Sequence, residues 1–142
     1  MASILLDTNV LSELMRHQPD HVVMDWFAER TGVIFYVSAI TQAEIMLGIS
    51  LLPAGNRRDA LAAAAFGMFS QDFAERCLPF DATGAINYAA IVSDRRRAGQ
   101  AISTEDALIA AIAVAHGYPL ATRNTKDFLH INRLTLCNPW QS

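Results

Sequence analysis

Residues 4–10 read Ile-Leu-Leu-Asp-Thr-Asn-Val, and this stretch decides the fold class. Three consecutive apolar residues without polar alternation are typical of a strand that is buried on both faces, as the strands of a parallel sheet are. The strand ends directly on Asp7, and a charged side chain at the end of a buried strand costs free energy unless it is paired or bound. We therefore predict a parallel sheet and interpret Asp7 as a functional residue.

Similar short apolar runs recur along the chain and are separated by stretches with helical spacing. Further strands are predicted at residues 33–37, 76–80, 118–122 and 134–137. Helices are predicted at residues 10–16, 21–30, 38–52, 57–73, 81–98 and 105–116. This alternation is characteristic of α/β proteins, in which helices cover both faces of a mainly parallel sheet. We expect a single domain over residues 1–142.

Charge and cysteine content limit the function classes. The formal net charge is -3, whereas a protein that binds nucleic acid by phosphate neutralisation alone is usually basic, so any such activity must rest on a local site or on a partner. Cys77 and Cys137 form no CxxC pair, which is typical of reduced thiols in the cytoplasm.

No signal peptide is predicted, and the longest apolar run, residues 107–115, is too short to span a bilayer. We expect a cytoplasmic protein without a membrane segment.

Several acidic and amide side chains fall at one edge of the predicted sheet. Asp7 follows the first strand, while Glu44 and Asp106 are each predicted in the first turn of a helix. Asn124 and Asp127 follow the strand at 118–122. In a parallel sheet the ends of strands and the starts of the following helices share an edge, so these side chains can converge there.

Carboxylates that converge repel one another unless a cation lies between them. Oxygen ligands without His or Cys select Mg²⁺, with Mn²⁺ as the alternative. Such an ion can activate a water molecule as a nucleophile and stabilise charge on a phosphodiester. The pattern therefore predicts a metal-dependent site at this edge.

Ordinary structural roles explain some of the same residues equally well. Residues 41–44, Thr-Gln-Ala-Glu, fit a capping box, and residues 103–106 fit the same template. Acids in a first helical turn also suit the helix dipole, so Glu44 and Asp106 can be caps or ligands. Thr8 and Asn9 can orient Asp7 by hydrogen bonds, or can serve as turn residues.

The basic residues and histidines carry weaker signals. The run Arg95-Arg96-Arg97 lies at a predicted helix C-terminus, where dipole and solvation effects explain it better than contact with RNA phosphates does. Arg123 lies beside the predicted acidic edge and is a candidate phosphate contact. The histidines share no spacing and are expected at the surface or at helix ends.

Four blocks of sequence resemble the motifs of PIN-domain proteins, and within them the VapC and FitB type of bacterial toxin. The blocks are residues 5–10, 38–44, 105–111 and 120–124, and the resemblance extends to Asn-Pro-Trp at 138–140. It implies a PIN-like three-layer α/β/α fold with a central, mainly parallel sheet of four to five strands. It also implies a metal-dependent endoribonuclease that uses a Mg²⁺-activated water, a cognate antitoxin that often binds DNA, and a homodimer.

Carried over residue by residue, the resemblance places Asp7, Glu44 and Asp106 at the main acidic positions. Asp7 and Asp106 match direct metal ligands, and Glu44 binds the ion or orients its water. Thr122 matches a hydroxyl that supports the metal ligands. Some relatives have Asp where this chain has Asn124, and Asp127 is the nearby acid that can replace it. One fewer charge there predicts one tightly held ion.

Two other function classes remain open. A phosphotransfer domain also uses an Asp at a strand end, but an aspartyl-phosphate phosphatase needs an acid where this chain has Asn9. A catalytically weak PIN-fold subunit of a DNA-binding antitoxin or repressor complex is the other alternative, although the intact acids argue against it. An apolar groove between the helices around residues 43–52 and 60–69 is a candidate antitoxin site.

Overall fold

The computed structural model describes residues 2–141. Its strands are β1 (Ser3–Leu6), β2 (Ile34–Ser38), β3 (Cys77–Leu78), β4 (Leu120–Ala121) and β5 (Leu136–Cys137). Its helices are α1 (Thr8–Leu14), α2 (His21–Ala28), α3 (Ala39–Ser50), α4 (Asn56–Gly67), α5 (Ala82–Arg97) and α6 (Thr104–His116). A π-helical turn (Met68–Asp72) extends α4, and a 3₁₀ turn (Thr125–Phe128) follows β4.

Over this range the strands form one sheet in the order β3-β2-β1-β4-β5, and every neighbouring pair is parallel. The first strand is therefore central, with β2 on one side and β4 on the other. Leu5 and Leu6 of β1 are fully buried, as expected for a strand covered on both faces. The predicted parallel α/β fold is confirmed.

Two apolar clusters, one on each face of the sheet, give the fold its three layers. Leu5 packs with residues of α5 and α6, including Ile91 and Ile109. Leu6 packs on the opposite face with residues of α1 to α4, including Leu11 and Ile45. Helix α6 packs along α5, and six of its residues, including Ile109 and Ile112, are buried.

The predicted helix boundaries hold to within a few residues, because the sequence carries clear end signals. Asp81 caps α5 by accepting a hydrogen bond from the Gly84 N–H, and Gly117 ends α6 in the left-handed conformation that glycine favours. The 3₁₀ turn at 125–128 was not predicted, since a single turn has no periodicity to detect. No helix within residues 2–141 is long and apolar enough to cross a membrane.

Candidate active site

The C-terminal ends of β1, β2 and β4 bring the candidate residues together. Leu6 pairs with Ala121, so the residues that follow these two strands, Asp7 and Thr122, are neighbours across the sheet. The Asp7 N–H donates to the Ala121 carbonyl at 2.9 Å and continues the ladder beyond the last pair. Helix α3 begins directly after β2 and lies at the same edge.

Asp7 is buried and its carboxylate accepts hydrogen bonds from three residues. The Thr8 N–H donates to Oδ1 at 2.8 Å, where Asp7 also serves as the cap of α1. The Thr122 hydroxyl donates to Oδ2 at 2.7 Å. The Asn9 amide donates to the same oxygen at 3.3 Å, while its own oxygen accepts from the Arg123 N–H at 3.2 Å. These bonds fix the carboxylate in one orientation.

Glu44 lies in the second turn of α3, and its predicted position in the first turn is wrong. The helix is capped by Ser38, whose hydroxyl accepts from the Thr41 N–H at 3.1 Å, so Thr41 is inside the helix and cannot be its cap. The Glu44 carboxylate instead accepts from the Thr8 hydroxyl at 2.7 Å. Capping therefore does not explain Glu44, and its side chain lies next to the residue that follows Asp7.

The buried hydroxyls of Ser38 and Thr41, which the sequence did not point to, support this contact. Thr8 and Thr41 share a hydrogen bond of 2.9 Å between their hydroxyl groups, and the Ser38 hydroxyl lies 3.4 Å from that of Thr41. Ser38 and Thr41 are fully buried. A hydroxyl is neutral and easily read as a cap, so only the chain packing shows that these two residues support the site.

Asp106 approaches from the first turn of α6, as predicted. Its N–H donates to the Ser103 hydroxyl at 3.1 Å, so Ser103 caps the helix. Asp106 is half-buried, whereas Asp127, in the 3₁₀ turn after β4, is exposed. Asn124 bonds Thr122 through its backbone N–H at 3.1 Å, and its side chain is exposed.

The electrostatics of the acids show that their charges act on one another. Burial raises the pKa of Asp7 from 3.8 to about 6, against the hydrogen bonds from Thr122 and Thr8, and the charges of Asp106 and Glu44 raise it further. Burial also raises the pKa of Asp106, and the charges of Asp127, of Glu44 and of the exposed neighbouring Glu105 add to that rise. Four acids from separate elements therefore share one electrostatic site.

The donor chemistry of this site fits a hard divalent cation. The charged groups named above are all carboxylates, and oxygen donors without His or Cys suit such a cation. Within residues 2–141, no group of three Asp, Glu, His or Cys side chains is close enough together to bind one metal ion without rearrangement. Mg²⁺ commonly takes one or two carboxylates directly and keeps several waters, so it does not require such a cluster.

The three consecutive arginines differ in burial, which the sequence did not indicate. Arg95 is buried, so solvation does not explain it and it is not free to contact RNA, whereas Arg96 and Arg97 are exposed. The Arg123 guanidinium lies 4.9 Å from the centre of the Trp140 ring, which places the Asn-Pro-Trp segment beside the acidic edge. The histidines are all exposed, as predicted.

Comparison with known proteins identifies the family. The PIN domain model matches residues 4–134. The chain belongs to the PIN-domain family. A VapC ribonuclease of Sinorhizobium fredii is 40% identical over 97% of this chain and 98% of the relative. Toxin FitB of Neisseria gonorrhoeae is 40% identical over 96% of this chain and 98% of FitB. The crystal structure of FitAcB from that organism aligns with a TM-score of 0.87, covering 98% of this chain and 99% of that chain.

Proposed function

We propose that this PIN-domain protein is a metal-dependent endoribonuclease that acts as the toxin of a bacterial toxin-antitoxin pair. The observation that carries the proposal is that the charges of four acids act on one another at the C-terminal edge of the sheet. These acids are Asp7, Glu44, Asp106 and Asp127. Relatives at 40% identity are named VapC ribonuclease and Toxin FitB, and both align over almost the whole chain.

Each acid has a distinct part in this proposal. Asp7 and Asp106 bind the cation directly, because burial makes their carboxylates the ones that gain most from a compensating charge. Glu44, oriented by Thr8, binds the ion or holds one of its waters. Exposed Asp127 adds charge from the open side of the site. When bound, Mg²⁺ or Mn²⁺ would activate water and stabilise charge on the phosphodiester.

Supporting residues keep the carboxylate of Asp7 ionised and aimed. The Thr122 hydroxyl donates to it and thereby opposes the rise in pKa that burial causes. Asn9 bridges Asp7 and the backbone of Arg123, so the acid and the basic residue keep a fixed spacing. Asn124 carries no charge where some relatives have Asp, and we propose that one ion is held tightly for this reason.

An antitoxin partner has a suitable surface on the α1–α4 side of the molecule. A groove of about 350 Å³ between α3 and α4 is lined by apolar residues that include Met46, Ile49, Phe66 and Phe69. Phe66 is 74% exposed and Met46 is 52% exposed, which is unusual for large apolar side chains. We propose that the antitoxin covers this groove. A solved structure of FitAB contains a DNA fragment, which supports a DNA-binding partner, and a homodimer of the toxin is part of the same proposal.

Cleavage of a pool of cellular RNA by the purified, partner-free chain tests the activity. The comparison needs Mg²⁺, EDTA, the variant Asp106→Asn, and Glu105→Gln as a matched control. Glu105 is an exposed acid in the same helical turn whose charge acts on Asp106 but which is not a proposed ligand. Cleavage that requires metal, is lost in Asp106→Asn and survives in Glu105→Gln supports the proposal. Metal-independent cleavage, or equal loss in both variants, contradicts the assigned site, and absence of cleavage in every sample favours a binding subunit.

A further inference from the structure

Arg95 is a buried cation near the C-terminus of α5, and its guanidinium binds three backbone carbonyls. One terminal nitrogen donates to the carbonyls of Asp127 and Leu129 at 3.1 and 2.9 Å, and the other donates to the Ala101 carbonyl at 3.2 Å. The residue is only 8% exposed. Its acceptors lie on two segments, the loop after β4 and the connection between α5 and α6.

Burying a guanidinium in this way is costly, because a charge loses its hydration and carbonyl dipoles compensate only in part. Among the ion pairs found within residues 2–141, none joins Arg95 to a carboxylate. Its neighbours Arg96 and Arg97 remain exposed on the same helix turn. A buried charge that bonds only backbone is well suited to fixing the position of that backbone.

The loop that Arg95 holds carries one of the four acids. Asp127 belongs to a single 3₁₀ turn, and such turns have poor internal hydrogen-bond geometry. Phe128 anchors the turn in the core, and two of the three Arg95 bonds lie on either side of it. The chain then passes through His130, which has a φ of +65°. The backbone from which the exposed Asp127 carboxylate projects is therefore held on both sides of the core anchor.

We infer that Arg95 is a positioning residue: it holds the 3₁₀ turn that carries Asp127 against α6, which carries Asp106, and so sets the metal affinity of the site. The inference rests on the proposed function, since it concerns the same acidic site. Outer residues that orient ligands typically change metal affinity by about 10- to 100-fold. Loss of the Arg95 bonds should therefore weaken metal binding without removing any carboxylate.

The test measures Mn²⁺ binding by isothermal titration calorimetry at a temperature where every variant is folded by circular dichroism. Arg95→Met removes the charge and the bonds at similar length. Arg95→Lys keeps the charge but has a single nitrogen in place of the two that reach separate segments of the chain. Arg96→Met is the matched control, since it removes an exposed cation one residue away. Asp127→Asn, alone and combined with Arg95→Met, completes a double-mutant cycle.

We expect the Mn²⁺ dissociation constant to rise about tenfold in Arg95→Met, to rise less in Arg95→Lys, and to stay unchanged in Arg96→Met. In the Asp127→Asn background the same Arg95→Met change should raise it less than about twofold, because the residue it positions has lost its charge. An unchanged constant in both Arg95 variants overturns the inference, and so does an equal fold-change in both backgrounds. Absence of saturable Mn²⁺ binding in the unaltered chain contradicts the proposed function, and the inference with it.

Discussion

The buried carboxylate of Asp7 makes the metal-free protein less stable as the pH rises, and Asp7→Asn should remove that dependence. The folded pKa of Asp7 is about 6, against 3.8 for an unperturbed carboxyl. Between pH 3.8 and pH 6, Asp7 therefore keeps its proton in the folded state but has lost it in the unfolded state. The contribution of protonated Asp7 to the free energy of unfolding is fully present below pH 3.8 and is lost as the pH rises through 6.

The size of the effect follows from the pKa difference. The difference between a pKa of 3.8 and one of about 6 corresponds to a total loss of about 3 kcal/mol in the free energy of unfolding, from low pH to high pH. Between pH 5 and pH 8 the part that is lost is about 1 kcal/mol, because Asp7 in the unfolded chain is already mostly ionised at pH 5 and the rest of the loss lies below that pH. An amide at position 7 cannot ionise, and its altered bonding to Thr122 shifts the stability by a constant amount at every pH.

Urea unfolding in EDTA, followed by circular dichroism from pH 5 to pH 8, measures this difference. We expect the free energy of unfolding of the unaltered chain to fall by about 1 kcal/mol more than that of Asp7→Asn over this range. Asp94→Asn is the control, because Asp94 is an exposed acid, and it should follow the unaltered chain. If the free energies of unfolding of the unaltered chain and of Asp7→Asn changed in parallel with pH, the raised pKa of Asp7 and the energetic cost of burying its charge would be refuted.

Three further predictions concern neighbouring residues. Cleavage at subsaturating Mg²⁺ should increase with pH as Asp7 ionises and can bind the ion, and Thr122→Val should move the midpoint of that increase upward, because the hydroxyl that stabilises the carboxylate is lost. A pH–rate profile with an unmoved midpoint would contradict this. Glu44→Gln should lower the pKa of Asp7, measured by NMR titration in EDTA, because one of the charges that raise it is removed; a higher pKa would disprove the coupling. Phe66→Asp should weaken antitoxin binding at least tenfold in a pull-down or calorimetric titration while leaving RNA cleavage intact, whereas the exposed Asp94→Asn should change neither.

The elements of the fold could be predicted from local signals, and the arrangement of the sheet could not. Short apolar runs marked the strands, and caps such as Asp81 and Gly117 marked helix ends. The order of the strands depends on how helices from distant parts of the chain pack on each face. Two-residue strands such as β3 and β5 also carry almost no pattern of their own.

The candidate acids could be selected from the sequence because each was predicted close to the end of a strand or the start of a helix. Glu44 was assigned to the wrong helical turn because Thr41 and Ser38 both fit a capping position, and only the backbone shows that Ser38 caps the helix. Arg95 was not recognised because three consecutive arginines look alike in sequence. Which of them turns inward depends on the loops that close over α5, and those contacts are not local.

Direct titration of Mn²⁺ into the partner-free chain at pH 7.5 tests most directly whether the acidic edge is a metal site. We predict saturable binding of one ion per chain, lost in Asp7→Asn and in Asp106→Asn but retained in the control Glu105→Gln. Two ions of similar affinity would contradict the role assigned to Asn124. Binding that survives both substitutions, or no binding in the unaltered chain, would contradict the metal site itself.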